Sequence, residues 1–265
     1  NKSFSQKKTF NMKQVLQSLN GIAVFLTVCI NYLSNTGLFN GETMGTISAK
    51  YQNLFTPAGY AFSIWGLIYI GLLGFVIYFG PFTKQTEHKT KVVLNIGWWF
   101  LISCCANSLW VVAWLYEYTF ITVLLMLLLL ASLLKIIQQT EVLPSTFQNN
   151  IFLKLPFQIY SGWISVALIA NVAAYLKKIS WNGFGIPETN WTIVLFMTAL
   201  ALHLFMIWKR RMPVFAMVAV WALIAIAIAN KQVSNFIFFY AIIVAGIILL
   251  NSITAFIYQS KNRSI

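Results

Sequence analysis

An all-α, polytopic transmembrane helix bundle of eight helices is the fold class this sequence predicts, and three observations predict it. Eight apolar stretches fill almost all of the 265 residues. No charged side chain lies near the middle of any stretch. Basic residues gather on alternate connections. Each stretch runs about 18–24 residues, enough to cross roughly 30 Å of hydrocarbon as a helix. In lipid the backbone must satisfy its own hydrogen bonds, which demands helices or a closed barrel. Barrel strands alternate in polarity, and these stretches are continuous.

The predicted spans are 14–36, 58–80, 93–115, 119–138, 154–176, 191–208, 213–230 and 235–258. The first follows a basic flank and contains the apolar run Gly21–Ile30. It lacks a small-x-small site before Asn31–Gly37, so a mature helix is expected rather than a cleaved signal. The second places Trp65 and Tyr69 four apart, on one face. The third carries Asn107 and Trp110, three apart. The fifth carries Trp163, Ala167 and Asn171 at intervals of four, a single stripe. The sixth holds His203, the one histidine inside a span. The seventh is rich in alanine from Ala216 to Ala229, which predicts an inner, tightly packed helix.

Composition excludes other classes. Hydrophobic residues make up 59% and charged residues 9%, far from a soluble domain. The net charge of +13 suggests nucleic acid until its distribution is read. With the N-terminus inside and eight spans, the inner side holds Lys2, Lys7, Lys8, Lys13, Lys84, Lys89, Lys91, Lys135, Lys154, Lys209, Arg210, Arg211, Lys261 and Arg263. Only Lys50, Lys177, Lys178 and Lys231 fall outside. This is the positive-inside asymmetry, and it predicts both termini in the cytoplasm. The expected partners are lipid headgroups, not nucleic acid. The expected location is the bacterial inner (cytoplasmic) membrane.

Depth singles out a site. Aromatic rings belong at membrane interfaces, and Trp114, Trp181, Trp191 and Trp208 fit that belt. Trp65, Trp110 and Trp163 lie deeper, roughly 8–15 Å in at 1.5 Å per residue. They share the outer half of the membrane with Asn107 and Asn171, beneath the longest outer loop, residues 40–57. A long connection of this kind is often a functional lid. Apolar, aromatic-lined walls with a few amides suit a small planar ligand. The competing reading makes the asparagines interhelical glue and the tryptophans filler.

Here the residues resemble a known family. Thr56-Pro57-x4-Phe62-x2-Trp65-x3-Tyr69-x4-Gly74 resembles the second-helix entrance of the TspO/MBR family, the tryptophan-rich sensory proteins and peripheral benzodiazepine receptor relatives. Asn107-x2-Trp110 is similar to that family's Asn-x2-Trp. Pro156-x6-Trp163-x3-Ala167-x3-Asn171 is similar to its fifth-helix pattern, with wider spacing from the proline. The resemblance implies a five-helix TspO-like core over residues 14–180. A cytoplasmic basic segment, 1–13, precedes it, and a three-helix C-terminal extension, 181–265, follows. It implies a pocket under the 40–57 loop for a tetrapyrrole (porphyrin) or sterol-like ligand. Trp65, Tyr69, Asn107, Trp110, Trp163, Ala167 and Asn171 would line or support it. Trp221, in the extension, is expected to stand clear of that site. The sequence departs from the family pattern in the first loop, where Thr46–Phe55 replaces the Trp and Lys-Lys-Pro portion. The last three spans either cap the first five or form a homodimer interface.

Two rival functions are weaker. An enzyme needs positioned titratable groups, yet the chain has no Asp, and Glu42, Glu87, Glu117, Glu141 and Glu188 all sit in loops or at span ends. His203 either bonds a neighbouring helix or serves a ligand or proton. Glu117 is a turn residue or greets a ligand's polar group. No catalytic residue, metal ligand or cofactor is therefore expected. A transporter or permease for a small apolar or amphipathic molecule is the alternative function. Carriers often break helices mid-span, whereas the six prolines here all lie near span ends.

Overall fold

The computed structural model describes residues 2–144 and 146–261, with side chains described from residue 11 onward. Lys2, Lys7, Lys8 and Arg263, on which the inner-side charge count draws, have side chains outside that description. Among the described residues there is no strand. Ten helices follow one another: α1 Lys2–Leu33, α2 Met44–Lys50, α3 Ile64–Phe79, α4 Glu87–Ile96, α5 Trp99–Leu115, α6 Thr119–Thr140, α7 Leu155–Lys178, α8 Glu188–Trp208, α9 Pro213–Asn230 and α10 Asn235–Lys261. A 3-10 turn, Gly59–Ser63, leads into α3, and a π-helical turn, Asn150–Lys154, leads into α7. Pro156 accounts for that π turn: with no N–H it cannot bond the carbonyl four residues back.

Among the described residues seven helices are long and apolar enough to cross a membrane, and the bent α4–α5 pair makes an eighth when its two halves count as one span. The all-helical membrane bundle is therefore what the sequence predicts. One span differs in detail. Residues 93–115 do not form one straight helix, because α4 and α5 meet at a 49° bend. Gly97 causes it: its φ of +54° closes α4, a conformation glycine adopts without steric cost.

The chain forms two compact units. One comprises Asn1–Thr43 and Trp65–Phe157, the other Met44–Ile64 and Gln158–Ile265.

In the first unit α5 packs against α1 and α6. Its centre is aromatic: Phe75 meets Phe100 at 5.0 Å, Phe157 at 5.2 Å and Phe79 at 5.4 Å. In the second unit α8, α9 and α10 pack against one another. As its alanines predict, α9 is the inner member: 67% of its span is buried, against 33% for each neighbour. Ala216, Ala219, Ala222, Ala225 and Ala227 are at most 1% exposed. Small side chains let backbones approach, and Gly162 of α7 is the extreme case. A methyl group added there would collide with the Phe215 carbonyl oxygen of α9.

Gly162→Ala should therefore destabilise the chain by about 1–3 kcal/mol, the usual cost of overpacking. Gly66→Ala, where an added methyl meets nothing within 4 Å, should be neutral or mildly stabilising. Thermal unfolding in detergent distinguishes the two; equal melting temperatures would show that α7 and α9 do not approach this closely.

Candidate functional site

Four of the seven expected site residues come together in the first unit. The α3 helix sets Trp65 and Tyr69 on one face, and their rings stack at 5.6 Å and 19°. Trp110, on α5, lies 6.0 Å from Trp65. Trp114, one turn further along α5, stacks on Trp110 at 6.4 Å and 26°. The result is a ladder, Tyr69–Trp65–Trp110–Trp114. Trp114 belongs to it and is 7% exposed. The α5 periodicity brings Trp110 and Trp114 onto one face.

Asn107 stands one turn from Trp110 and is fully buried. Its side-chain oxygen accepts a 2.9 Å hydrogen bond from the Asn31 amide on α1. The Asn31 amide also donates to the Thr27 carbonyl. The ladder is less completely satisfied: the Trp110 indole N–H is buried and has no hydrogen-bond partner among the described residues.

Asn31 belongs to a pattern that the sequence reading missed. Lys13, Gln17, Asn20, Thr27, Asn31 and Ser34 recur at alternating steps of three and four, with Val24 completing the repeat. All are buried, none more than 8% exposed. They form a polar stripe along α1. Gln17 donates to the Phe79 carbonyl at 2.6 Å and to Gln85 at 3.0 Å. Thr27 meets Ser108 at 3.2 Å. The signal was present as heptad spacing of polar residues, but it occupies one face only, and the other faces keep the helix apolar enough to read as a span.

The remaining three expected residues sit in the second unit. Trp163 is buried on α7, with its ring edge-on to Phe62 at 6.2 Å. Ala167 and Asn171 continue the same face, Asn171 buried and Ala167 partly so. His203 is wholly buried. One ring nitrogen lies 2.6 Å from the Ala199 carbonyl and the other 3.3 Å from the Ser165 hydroxyl of α7. Of its two expected roles, these contacts supply the helix-to-helix bond.

The 40–57 connection is more structured than a loop. It contains α2, and Met44, Ile47, Tyr51 and Phe55 are all buried, Ile47 completely. Its backbone is tied down in the second unit. The Leu54 amide donates to the Glu188 carboxylate at 2.9 Å, and Asn230 donates to the Leu54 carbonyl at 3.0 Å. The Ala58 amide donates to the Ala225 carbonyl at 3.0 Å. Trp221 touches the 3-10 turn that follows this connection. Its indole donates to the Ala61 carbonyl at 3.3 Å, and its ring meets Tyr60 edge-on at 5.1 Å. Glu117 occupies a turn with φ +60°, where its amide donates to the Trp114 carbonyl.

With this geometry in hand, the comparison with protein families is decisive. The family described as TSPO-like protein matches residues 17–254. The chain belongs to that family. The TSPO-like match reaches from α1 into α10, so it takes in the last three helices as well as the first five spans. No curated protein and no solved structure matches the chain significantly. Among the described residues of this TSPO-like chain, no group of three or more His, Cys, Asp or Glu side chains is placed to hold a metal ion.

The Asn31–Asn107 bond yields a prediction. A double-mutant cycle with Asn31→Ala and Asn107→Ala should give a coupling of about 0.5–1.5 kcal/mol in unfolding free energy. Strictly additive effects would mean that the two amides do not bond.

Proposed function

We propose that this TSPO-like chain is an integral membrane binding protein and sensor for a small planar apolar ligand of porphyrin- or sterol-like kind. The observation that carries the reading is the ladder of Tyr69, Trp65, Trp110 and Trp114, with one indole N–H unpartnered beside the Asn107 amide. Aromatic rings supply large apolar area with preferred stacking geometry. A buried polar group without a partner is rare and asks for an explanation, and a ligand acceptor provides one. Such a site needs no catalytic group, and the reading assigns no reaction to the chain.

Trp110→Ala should weaken protoporphyrin binding roughly tenfold or more, since a stacked ring and a hydrogen bond are each worth on the order of 1 kcal/mol. Trp208→Phe is the control. Its ring is half exposed, and its N–H donates to Asn251. Fluorescence quenching followed by direct binding reads the result. Absence of specific binding by protoporphyrin and by sterols would overturn the ligand class. The resemblance also assigns Trp163, Ala167 and Asn171, and Trp163→Ala tests that assignment on its own.

We place the chain in a bacterial inner membrane with both termini in the cytoplasm. Fourteen of the 18 basic residues support this orientation: 18 less the four outer lysines. Fusion reporters at the two ends should both report the cytoplasm. An external signal from either would refute the eight-span topology.

The polar stripe of α1 favours a second reading, a permease for a small amphipathic molecule. Within the first unit Asn107 joins that stripe to the aromatic ladder, giving an apolar and a polar edge together. Ligand flux into sealed vesicles separates carriage from binding alone.

A further inference from the structure

A separate cavity opens at the polar end of α7. It has a volume of about 230 Å³ and lies entirely within the second unit. Leu176, Ile186 and Leu195 contribute apolar walls, and Trp181 and Trp191 are part of the lining. The two indole rings meet at 4.9 Å with a 56° tilt, forming a corner. Trp191 is fixed by its N–H bond to the Gly183 carbonyl at 3.0 Å. Gly183 sits at φ +64°, a conformation that turns the chain between α7 and α8 and suits glycine.

Lys177 and Glu188 line the same cavity. Their charged groups are 3.6 Å apart and about half exposed. At that distance and exposure the pair holds its partners weakly. One Glu188 oxygen is engaged by the Leu54 amide, and the other faces Lys177. A ligand carrying both charges can therefore exchange with this pair at little cost. An ammonium group fits between a carboxylate and aromatic faces, the usual recognition of organic cations. A phosphate fits a lysine. The volume falls below the roughly 300 Å³ at which drug-sized pockets begin. It suits a head group and the start of a chain rather than a whole fused-ring ligand.

We propose that this corner is a second binding site, for a phospho-ammonium zwitterion carried on an alkyl chain: the chemistry of a phosphatidylethanolamine head group. Lys177 takes the phosphate. Glu188 takes the ammonium with Trp181 and Trp191. The apolar walls take the first methylenes. The site shares no residue with the aromatic ladder of the first unit and does not depend on the planar-ligand reading.

The test uses the full chain in maltoside detergent, with native mass spectrometry to count bound ligand. Three probes are compared: lysophosphatidylethanolamine, lysophosphatidylglycerol and free phosphoethanolamine. The ethanolamine lipid should bind roughly tenfold tighter than the glycerol lipid, the contribution of one ammonium contact. Free phosphoethanolamine should bind negligibly. Glu188→Gln keeps an acceptor for the Leu54 amide and should abolish the preference between the two lipids. Lys177→Gln should weaken both lipids. Equal affinity of the two lipids for the unaltered chain, or a preference that survives Glu188→Gln, overturns the proposal. Phosphoethanolamine binding as tightly as its lipid would overturn the lipid source. An unchanged melting temperature shows that each variant is folded. Protoporphyrin binding should be unaltered in both variants, so failure here is distinct from failure of the planar-ligand site.

Discussion

A helix in hydrocarbon gains little by setting leucine against leucine, because the lipid it leaves is just as apolar. What holds such helices in register must be close packing or polar contact. In the first unit the polar contact is the stripe along α1. Gln17, Thr27 and Asn31 each bond outside their own helix, to α3, α5 or the connection after α3. Buried amides and hydroxyls of this kind contribute modestly when bonded, but they are costly to leave unbonded. That asymmetry makes them good at fixing register. A rotation of α1 would turn every one of them toward lipid at once. The position of α5, and with it Trp110 and Asn107, follows from this constraint.

The second unit uses the other device. Alanine on α9 and Gly162 on α7 bring backbones together, while the segment 44–64 is held mainly by its own peptide groups. The peptide groups of Leu54 and Ala61 bond side chains of α8 or α9, and the Ala58 amide bonds a backbone carbonyl of α9. A connection anchored this way leaves no buried peptide group unpaired at those points, which irregular backbone near lipid requires. It also explains why the connection carries four buried apolar side chains, Met44 and Ile47 on α2 and Tyr51 and Phe55 after it, in a segment that otherwise reads as polar. The cost of ordering a long connection is met by burial of Ile47 and Phe55.

The spans were legible because length and apolar continuity are one-dimensional properties. The break in 93–115 was not, because Gly97 inside a span reads as tolerated until its positive φ is seen. The ladder was half legible. Spacing placed Trp65 with Tyr69 and Asn107 with Trp110, since each pair lies on one helix. The contact between Trp65 and Trp110 joins different helices, and no periodicity encodes it. Trp114 joins the ladder through the same kind of spacing, four residues beyond Trp110. The α1 stripe escaped because scanning for charge passes over asparagine, threonine and serine. The partnership of Trp221 with Ala61 joins residues 160 apart in sequence and had no local signal at all.

Asn107 is where these two kinds of information meet. Through Asn31 it closes the α1 seam, and through its place on α5 it adjoins the ladder. The Asn107 oxygen is committed to the Asn31 amide, so a substitution at Asn31, which belongs to the seam and not to the ladder, would loosen the hold of α1 on the turn of α5 that leads to Trp110. Seam and ladder are coupled through that one turn, and the register of α1 bears on where the Trp110 ring is held.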